Sequence, residues 1–165
     1  MTVVADSSPL ILLSKVRRFD LLQALYPHVL ISSEVHSEVV VSGAGFPGAA
    51  EVARAKWIEV RQIKHREELL SAQARFSLGT GELSTIILAK ETGAEFALLD
   101  DYKGRALAAR QGIGVRGTVG IIESLYRSGH MPDLREAFRD LLDQHAFISP
   151  ALLDRRLELF GLPPL

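Results

Sequence analysis

The chain alternates short apolar runs with amphipathic stretches. TVVA (2–5) and HVLI (28–31) are β-branched or aliphatic runs of strand length, and WIEVRQI (57–63) alternates with period two. EFALL (95–99) and IGVRG (113–117) complete five predicted strands. Between them lie helical patterns. Ser8-Pro9 reads as an N-cap with proline at the first helical position, ahead of ILLSKV. FDLLQALY (19–26) predicts a second helix, and Ser32 or Ser33 caps a third through EVHSEVV. AAEVARAK (49–56), HREELLSAQARF and ELSTIILAKETG are helical, the last ending at Gly93. YKGRALAARQG runs to Gly112, and Thr118 is expected to cap a helix through IIESLYRSG. The tail, about 132–161, predicts two amphipathic helices, with Leu134, Phe138, Leu141 and then Leu152, Leu153, Leu157, Phe160 at helical spacing.

Alternating strands and helices predict an α/β sandwich on a mostly parallel sheet. The 165 residues suit one domain, with no internal repeat or clear linker. The chain is 47% hydrophobic, enough for a sizeable core. It has no cysteine, which excludes disulfides and thiolate metal sites. No apolar run reaches the roughly 20 residues of a membrane span. The N-terminus lacks the basic region of a signal peptide, so a cytoplasmic location is expected. A net charge of -1 does not advertise a nucleic-acid binder, although local distribution matters more than the sum.

The candidate chemistry is acidic. Asp6 directly follows the first strand, and Asp100 and Asp101 directly follow the fourth. In open α/β sheets ligands bind beyond the carboxyl ends of the strands, where strand order reverses. A sheet ordered 3-2-1-4-5 would bring these acids together at that point. Glu38 lies on the helix after strand two, and Glu82 in the first turn of the helix before strand four. Clustered carboxylates without cysteine or a histidine pair favour a hard cation, Mg²⁺ or Mn²⁺. Ser7, Ser8 and Thr118 stand at helix starts and could orient such ligands. Each acid also has a plain structural alternative: a turn at Asp6, a helix-dipole partner in Glu82, a solvated Glu38, a helix cap at Asp100-Asp101.

Other signals are weaker. GAGFPG (43–48) matches a dinucleotide-binding pattern but follows a helix and contains Pro47, so a loop is expected. A phospho-acceptor receiver is disfavoured, because only one acid follows the first strand and no lysine follows VRG. The histidines at 28, 36, 65, 130 and 145 have no ligand spacing. The basic clusters Lys15/Arg17/Arg18, Arg61/Lys64/Arg66 and Lys103/Arg105/Arg110 are mostly expected to be solvated. Lys103 and Arg105 are set apart by their closeness to the acid pair, where they could grip a phosphate.

VVADSSPLILLSKV, SSEVHSEVV, LGTGELSTIILAKETGAEFALLDDYKGR and VRGTVGII together resemble the PIN-domain ribonucleases, in particular the subgroup akin to VapC-type toxins. The resemblance runs from about residue 2 to residue 160, with the motifs in order. It implies a PIN-like sandwich with sheet order 3-2-1-4-5, an acidic Mg²⁺ or Mn²⁺ site and cleavage of RNA phosphodiester bonds. Asp6 and Glu38 match the first two family acids. Glu82 stands where many members carry Asp, and either Asp100 or Asp101 fits the fourth. Asp6, Glu82, Asp100 and Asp101 are the implied metal ligands, with Lys103, Arg105 and Thr118 as RNA contacts. A small antitoxin is a candidate partner. A catalytically weak PIN-like binding module for RNA or protein is the alternative. The tail stripe offers either a homodimer surface or packing on the domain's own sheet.

Overall fold

Strand residues alternate between two apolar layers. In the computed structural model, which describes residues 1–165, Val3, Ala5, Val29, Ile31 and Leu98 face one hydrophobic cluster, while Val4, Leu30, Ala97 and Leu99 face another. A strand buried on both faces reads as a continuous apolar run, as a parallel sheet covered by helices requires. The strands are β1 (Val3–Ala5), β2 (Val29–Ser32), β3 (Ile58–Arg61), β4 (Phe96–Leu98) and β5 (Gly114–Arg116). All pair in parallel, in the order β3-β2-β1-β4-β5. The expected sheet order and three-layer sandwich are therefore found. The register sets Ala5 beside Leu98, and the Asp6 N–H donates to the Leu98 carbonyl at 3.0 Å, so the ladder runs up to the first acid.

One face carries α1 (Ser7–Lys15), a 3₁₀ turn (Phe19–Leu21) leading into α2 (Leu22–Leu25), α3 (Ser33–His36) and α4 (Ala49–Arg54). The other carries α5 (Arg66–Arg75), α6 (Thr80–Thr92) and α7 (Tyr102–Arg110). α8 (Thr118–Arg127), α9 (Leu134–Asp143) and α10 (Pro150–Leu159) return to the first face. That face buries a cluster of 24 residues against 14 on the other, and the last three helices account for the surplus. α6 ends at Gly93 in the left-handed region (φ 63°), as its position in the sequence predicts.

Three local expectations are revised. α1 begins at Ser7 with Asp6 as N-cap, so Ser8 is inside the helix. α8 is N-capped by Gly117, not Thr118, because Asp100 supplies the capping carboxylate from across the sheet. The helix after β2 changes to π geometry over Ser37–Val41, which turns Glu38 away from the register of a plain α-helix.

The tail stripe is consumed within the domain. Leu134, Phe138, Leu141, Leu153 and Leu157 are buried in the larger cluster, whereas Leu152 is exposed. Two arginines tie the tail down through ion pairs. Arg18 meets Asp140 at 2.6 Å, so this arginine is not part of a solvated face. Arg156 grips the buried Glu123 of α8 with two bonds, 2.5 and 2.6 Å. Such a fork is geometrically specific, and removing the cation leaves a buried carboxylate without its partner. Arg156→Met is therefore expected to destabilise by about 1–3 kcal/mol, less than for a fully buried pair because Arg156 is partly exposed. Thermal melts should show a fall of roughly 3–8 °C, partly restored when Glu123→Gln is added.

Candidate active site

The carboxyl ends of β1 and β4 lie side by side, and Asp6 and Asp100 extend from them. Asp6 occupies an N-cap, a position its residue type favours, yet its side chain makes no capping bond. It is 3% exposed. Burial pushes its pKa up to about 7; the adjacent Ser7 N–H lowers it, while the charges of Glu82, Glu38 and Asp100 raise it further. These three acids, drawn from three distant segments, thus act on one buried carboxyl group.

The neighbours differ from Asp6 in being held. Glu38 accepts the Ser7 hydroxyl at 2.6 Å and the Gly81 N–H at 3.1 Å, one on each oxygen. A Cβ on Gly81 would fall 2.6 and 2.8 Å from those oxygens, so only glycine lets Glu38 reach the start of α6. The Gly81 carbonyl in turn accepts the Ser84 and Thr85 hydroxyls, at 2.9 and 2.8 Å, and Ser84 meets Ser32 at 2.7 Å. This buried chain fixes the α6 start against β2. Glu82 caps the same helix by accepting the Gly79 N–H at 2.6 Å.

The adjacent acids of the fourth strand part company. Asp100 accepts both the N–H and the hydroxyl of Thr118, each at 2.7 Å. Burial raises its pKa, against the lowering effect of the Thr118 bonds and of the Arg105 charge. A Cβ on Gly117 would lie 3.0 Å from Asp100 Oδ1 and 3.1 Å from an Arg105 guanidinium nitrogen, so this bare position lets both approach. Asp101 turns the other way and caps α7 through the Gly104 N–H at 2.8 Å. It is exposed, and its charge is not among those that raise Asp6. The structure thus places Asp100 with Asp6, and Asp101 outside that group.

Thr118 is fully buried with its hydroxyl spent on Asp100. The expectation of an RNA contact there gives way to orientation of the acid. Lys103 and Arg105 are exposed, as is Tyr102, which follows the acid pair at 85% exposure. Sequence reasoning missed Gly81, for which a lone glycine near a helix start gives no local signal.

The donor set is all carboxylate and hydroxyl oxygen, the chemistry of a hard divalent ion. No group of three or more His, Asp or Glu side chains is arranged to hold a metal ion among them. Magnesium binds through one or two carboxylates and keeps several waters, so the buried Asp6, which caps no helix, with Asp100 beside it fits that mode.

A parallel sheet whose order reverses between β1 and β4, with acids gathered above the reversal, is the layout of a PIN-like α/β sandwich. A family model described as a PIN domain matches residues 2–162, and the chain belongs to the PIN-domain family. A search of curated proteins finds no match. PIN domains are generally nucleases that act on RNA, and they typically use divalent metals. No helix is long and apolar enough to cross a membrane.

The raised pKa gives a test with a defined sign. An acid whose folded pKa lies above its unfolded value opposes folding once it must ionise. For Asp6 this penalty is absent near pH 4, grows between about pH 4 and 7 and is complete above that range. Asp6→Asn should therefore raise the melting temperature in chelator at pH 8, by an effect on the order of 1–3 kcal/mol, and leave it nearly unchanged at pH 4. A variant less stable than wild type at pH 8 would mean that ionised Asp6 is structural.

Proposed function

We propose that this chain is a Mg²⁺- or Mn²⁺-dependent endoribonuclease and the toxin of a toxin–antitoxin pair. The observation that carries the enzymatic reading is Asp6. A carboxylate that could cap its own helix does not, and instead stays buried where three other acids oppose its ionisation. Folding gains nothing from this arrangement, whereas a cation would relieve it. The toxin assignment rests on the resemblance to VapC-type sequences, and a small inhibitory partner goes with it.

Asp6 and Asp100 would hold the ion, with the free oxygen of Glu82 reaching it directly or through water. When bound, the ion supplies charge neutralisation, a water of lowered pKa and stabilisation of charge developing on the phosphoryl group. Glu38 keeps a lone pair on each oxygen beyond its bonds to Ser7 and Gly81, enough to orient the attacking water and accept its proton. The water oxygen bonds to phosphorus in line with the departing 3′-oxygen. The departing 3′-oxygen takes a proton from solvent water, and the products are a 5′-phosphate and a 3′-hydroxyl. Arg105, beside Asp100, and Lys103 would meet the RNA phosphates.

A second reading has its own support. Asp100, Asp101, Glu38 and Glu82 all satisfy helix N-termini, and no three acids converge as metal ligands. A PIN-like module that binds RNA or protein with little catalysis would need no more than that.

Cleavage of labelled single-stranded RNA with Mn²⁺, read on a gel, separates the two. Asp6→Asn and Asp100→Asn are expected to lose at least about a hundredfold in rate, and chelator should abolish cleavage. Asp101→Asn should stay within a few-fold of wild type. Equal cleavage by Asp6→Asn and wild type would remove Asp6 from the site, and absence of Mn²⁺-dependent cleavage by wild type would end the enzymatic reading.

Gly81→Ala probes Glu38 without touching an acid. The added methyl meets the far end of a flexible side chain, so Glu38 is displaced and the fold survives. The variant should melt within a few degrees of wild type while cleavage falls at least about tenfold. Full activity would remove Glu38 from the mechanism.

A further inference from the structure

Beside Glu38 lies an open hollow of about 570 Å³, lined by Ser33, Glu34, Ser37, Glu38, Gln62, Arg66 and Thr80, with no apolar residue among them. Its volume suits a ligand of nucleotide size. Because Glu38 belongs to both the hollow and the acid group, an occupant would sit next to the reacting phosphate. Glu34 is the unexplained member. Its side chain is 12% exposed; one oxygen meets Arg66 at 3.2 Å, and the other is buried without a partner. The neighbouring Ser33 hydroxyl is also buried and unpartnered. Native structures rarely leave buried polar atoms unsatisfied, and the exceptions call for a reason.

Arg66 pairs with one oxygen of Glu34 but is weakly committed. Its side chain is 61% exposed, its bridge is long, and it is the first residue of α5, where the helix dipole disfavours a cation and favours an anion. A phosphate arriving there would draw the guanidinium away and release its partner oxygen on Glu34.

We propose, resting on the ribonuclease reading, that this hollow is a subsite for a guanine base adjacent to the cleaved bond, read by the Glu34 carboxylate while Arg66 pairs with a phosphate. An ionised carboxylate only accepts hydrogen bonds, and it does so through two oxygens side by side. Guanine alone presents two adjacent donors, N1–H and the N2 amino group, on one edge. Adenine and cytosine set an acceptor beside their donor, and uracil flanks its single N–H with two carbonyls, so each would turn a lone pair toward the carboxylate. A phosphate deep in the hollow is disfavoured, since Glu34 and Glu38 outnumber Arg66. Ser37, Gln62 and Thr80 at the sides suit ribose hydroxyls.

The test uses the full chain and fluorescence anisotropy. Labelled uridine-rich single-stranded nonamers carry one central G, A, C or U, and chelator prevents cleavage. The G oligomer is expected to bind about tenfold tighter than the others, as one bidentate base contact gives. Inosine, which lacks the N2 amino group, should lose most of that advantage on the wild-type protein, so the result does not depend on a variant folding. Glu34→Gln should abolish the advantage of G and shift it toward A and C, because an amide sets one acceptor beside one donor, the complement of their edges. Arg66→Ala should weaken all four alike and reduce the salt dependence. Equal affinity for all four oligomers, or equal affinity for inosine and guanosine, would overturn the subsite, and with Mn²⁺-dependent cleavage intact it would leave the ribonuclease reading standing. Failure both to bind any oligomer and to cleave any with Mn²⁺ would overturn both.

Discussion

The parallel sheet imposes the constraint on which the site depends. When every strand runs the same way, every helix that follows a strand starts at the same edge. Those starts bring unsatisfied N–H groups and partial positive charge to one rim. The chain meets this demand with oxygen: Ser32 caps α3, Glu38 and Glu82 serve α6, Asp101 caps α7 and Asp100 serves α8. Acids at that rim are thus a consequence of topology before they are evidence of chemistry. Asp6 is the exception, since it stands at the cap of α1 and serves no cap.

This explains which parts were legible in sequence. Strands such as HVLI and EFALL betray themselves by local composition, and their alternation with helices leads to a parallel sheet. Asp6 and Asp100 are legible because they end strands. What separates Asp100 from Asp101 is not local. Both follow an apolar run, both precede a helix, and they differ only in which way the chain faces as it leaves β4. The position of α8 decides the matter, and that depends on the β4–β5 pairing and on the bare Gly117. Thr118 reads as a cap by type, yet Asp100 caps its helix from a segment 18 residues away. The tail stripe had two readings of equal pattern. Only packing tells them apart, because an apolar face looks the same whether its partner is the same chain or another.

Glu38 shows the same limit from the other side. Its place in EVHSEVV marks a helical residue at the edge of an apolar face. Its use depends on a π turn that shifts its direction, and on a glycine 43 residues away that admits its carboxylate. Neither is visible in a window of ten residues. A π turn also inserts a residue into the hydrogen-bond ladder at some loss of regularity, and such turns concentrate at functional sites. Here the distorted turn is the one that carries an acid to the rim.

The held acids and the unheld one form a graded set. Glu38, with a donor on each oxygen, has a fixed direction. Asp100 is fixed by Thr118 and is partly buried beside Arg105. Asp6 is buried with its charge opposed from three sides. Groups that are rigidly oriented need little reorganisation when charge develops nearby, which is the condition for electrostatic stabilisation of a transition state. On the proposed reading, the group whose ionisation is opposed would supply the driving force for bringing a cation there. If that reading holds, exchanging these roles would weaken the site: a fully bonded Asp6 would have less to gain from an ion, and a loose Glu38 would not hold a water in line. The hydrogen bonds that stabilise the helix starts therefore also divide the acids into those with a fixed direction and the one whose charge is left opposed.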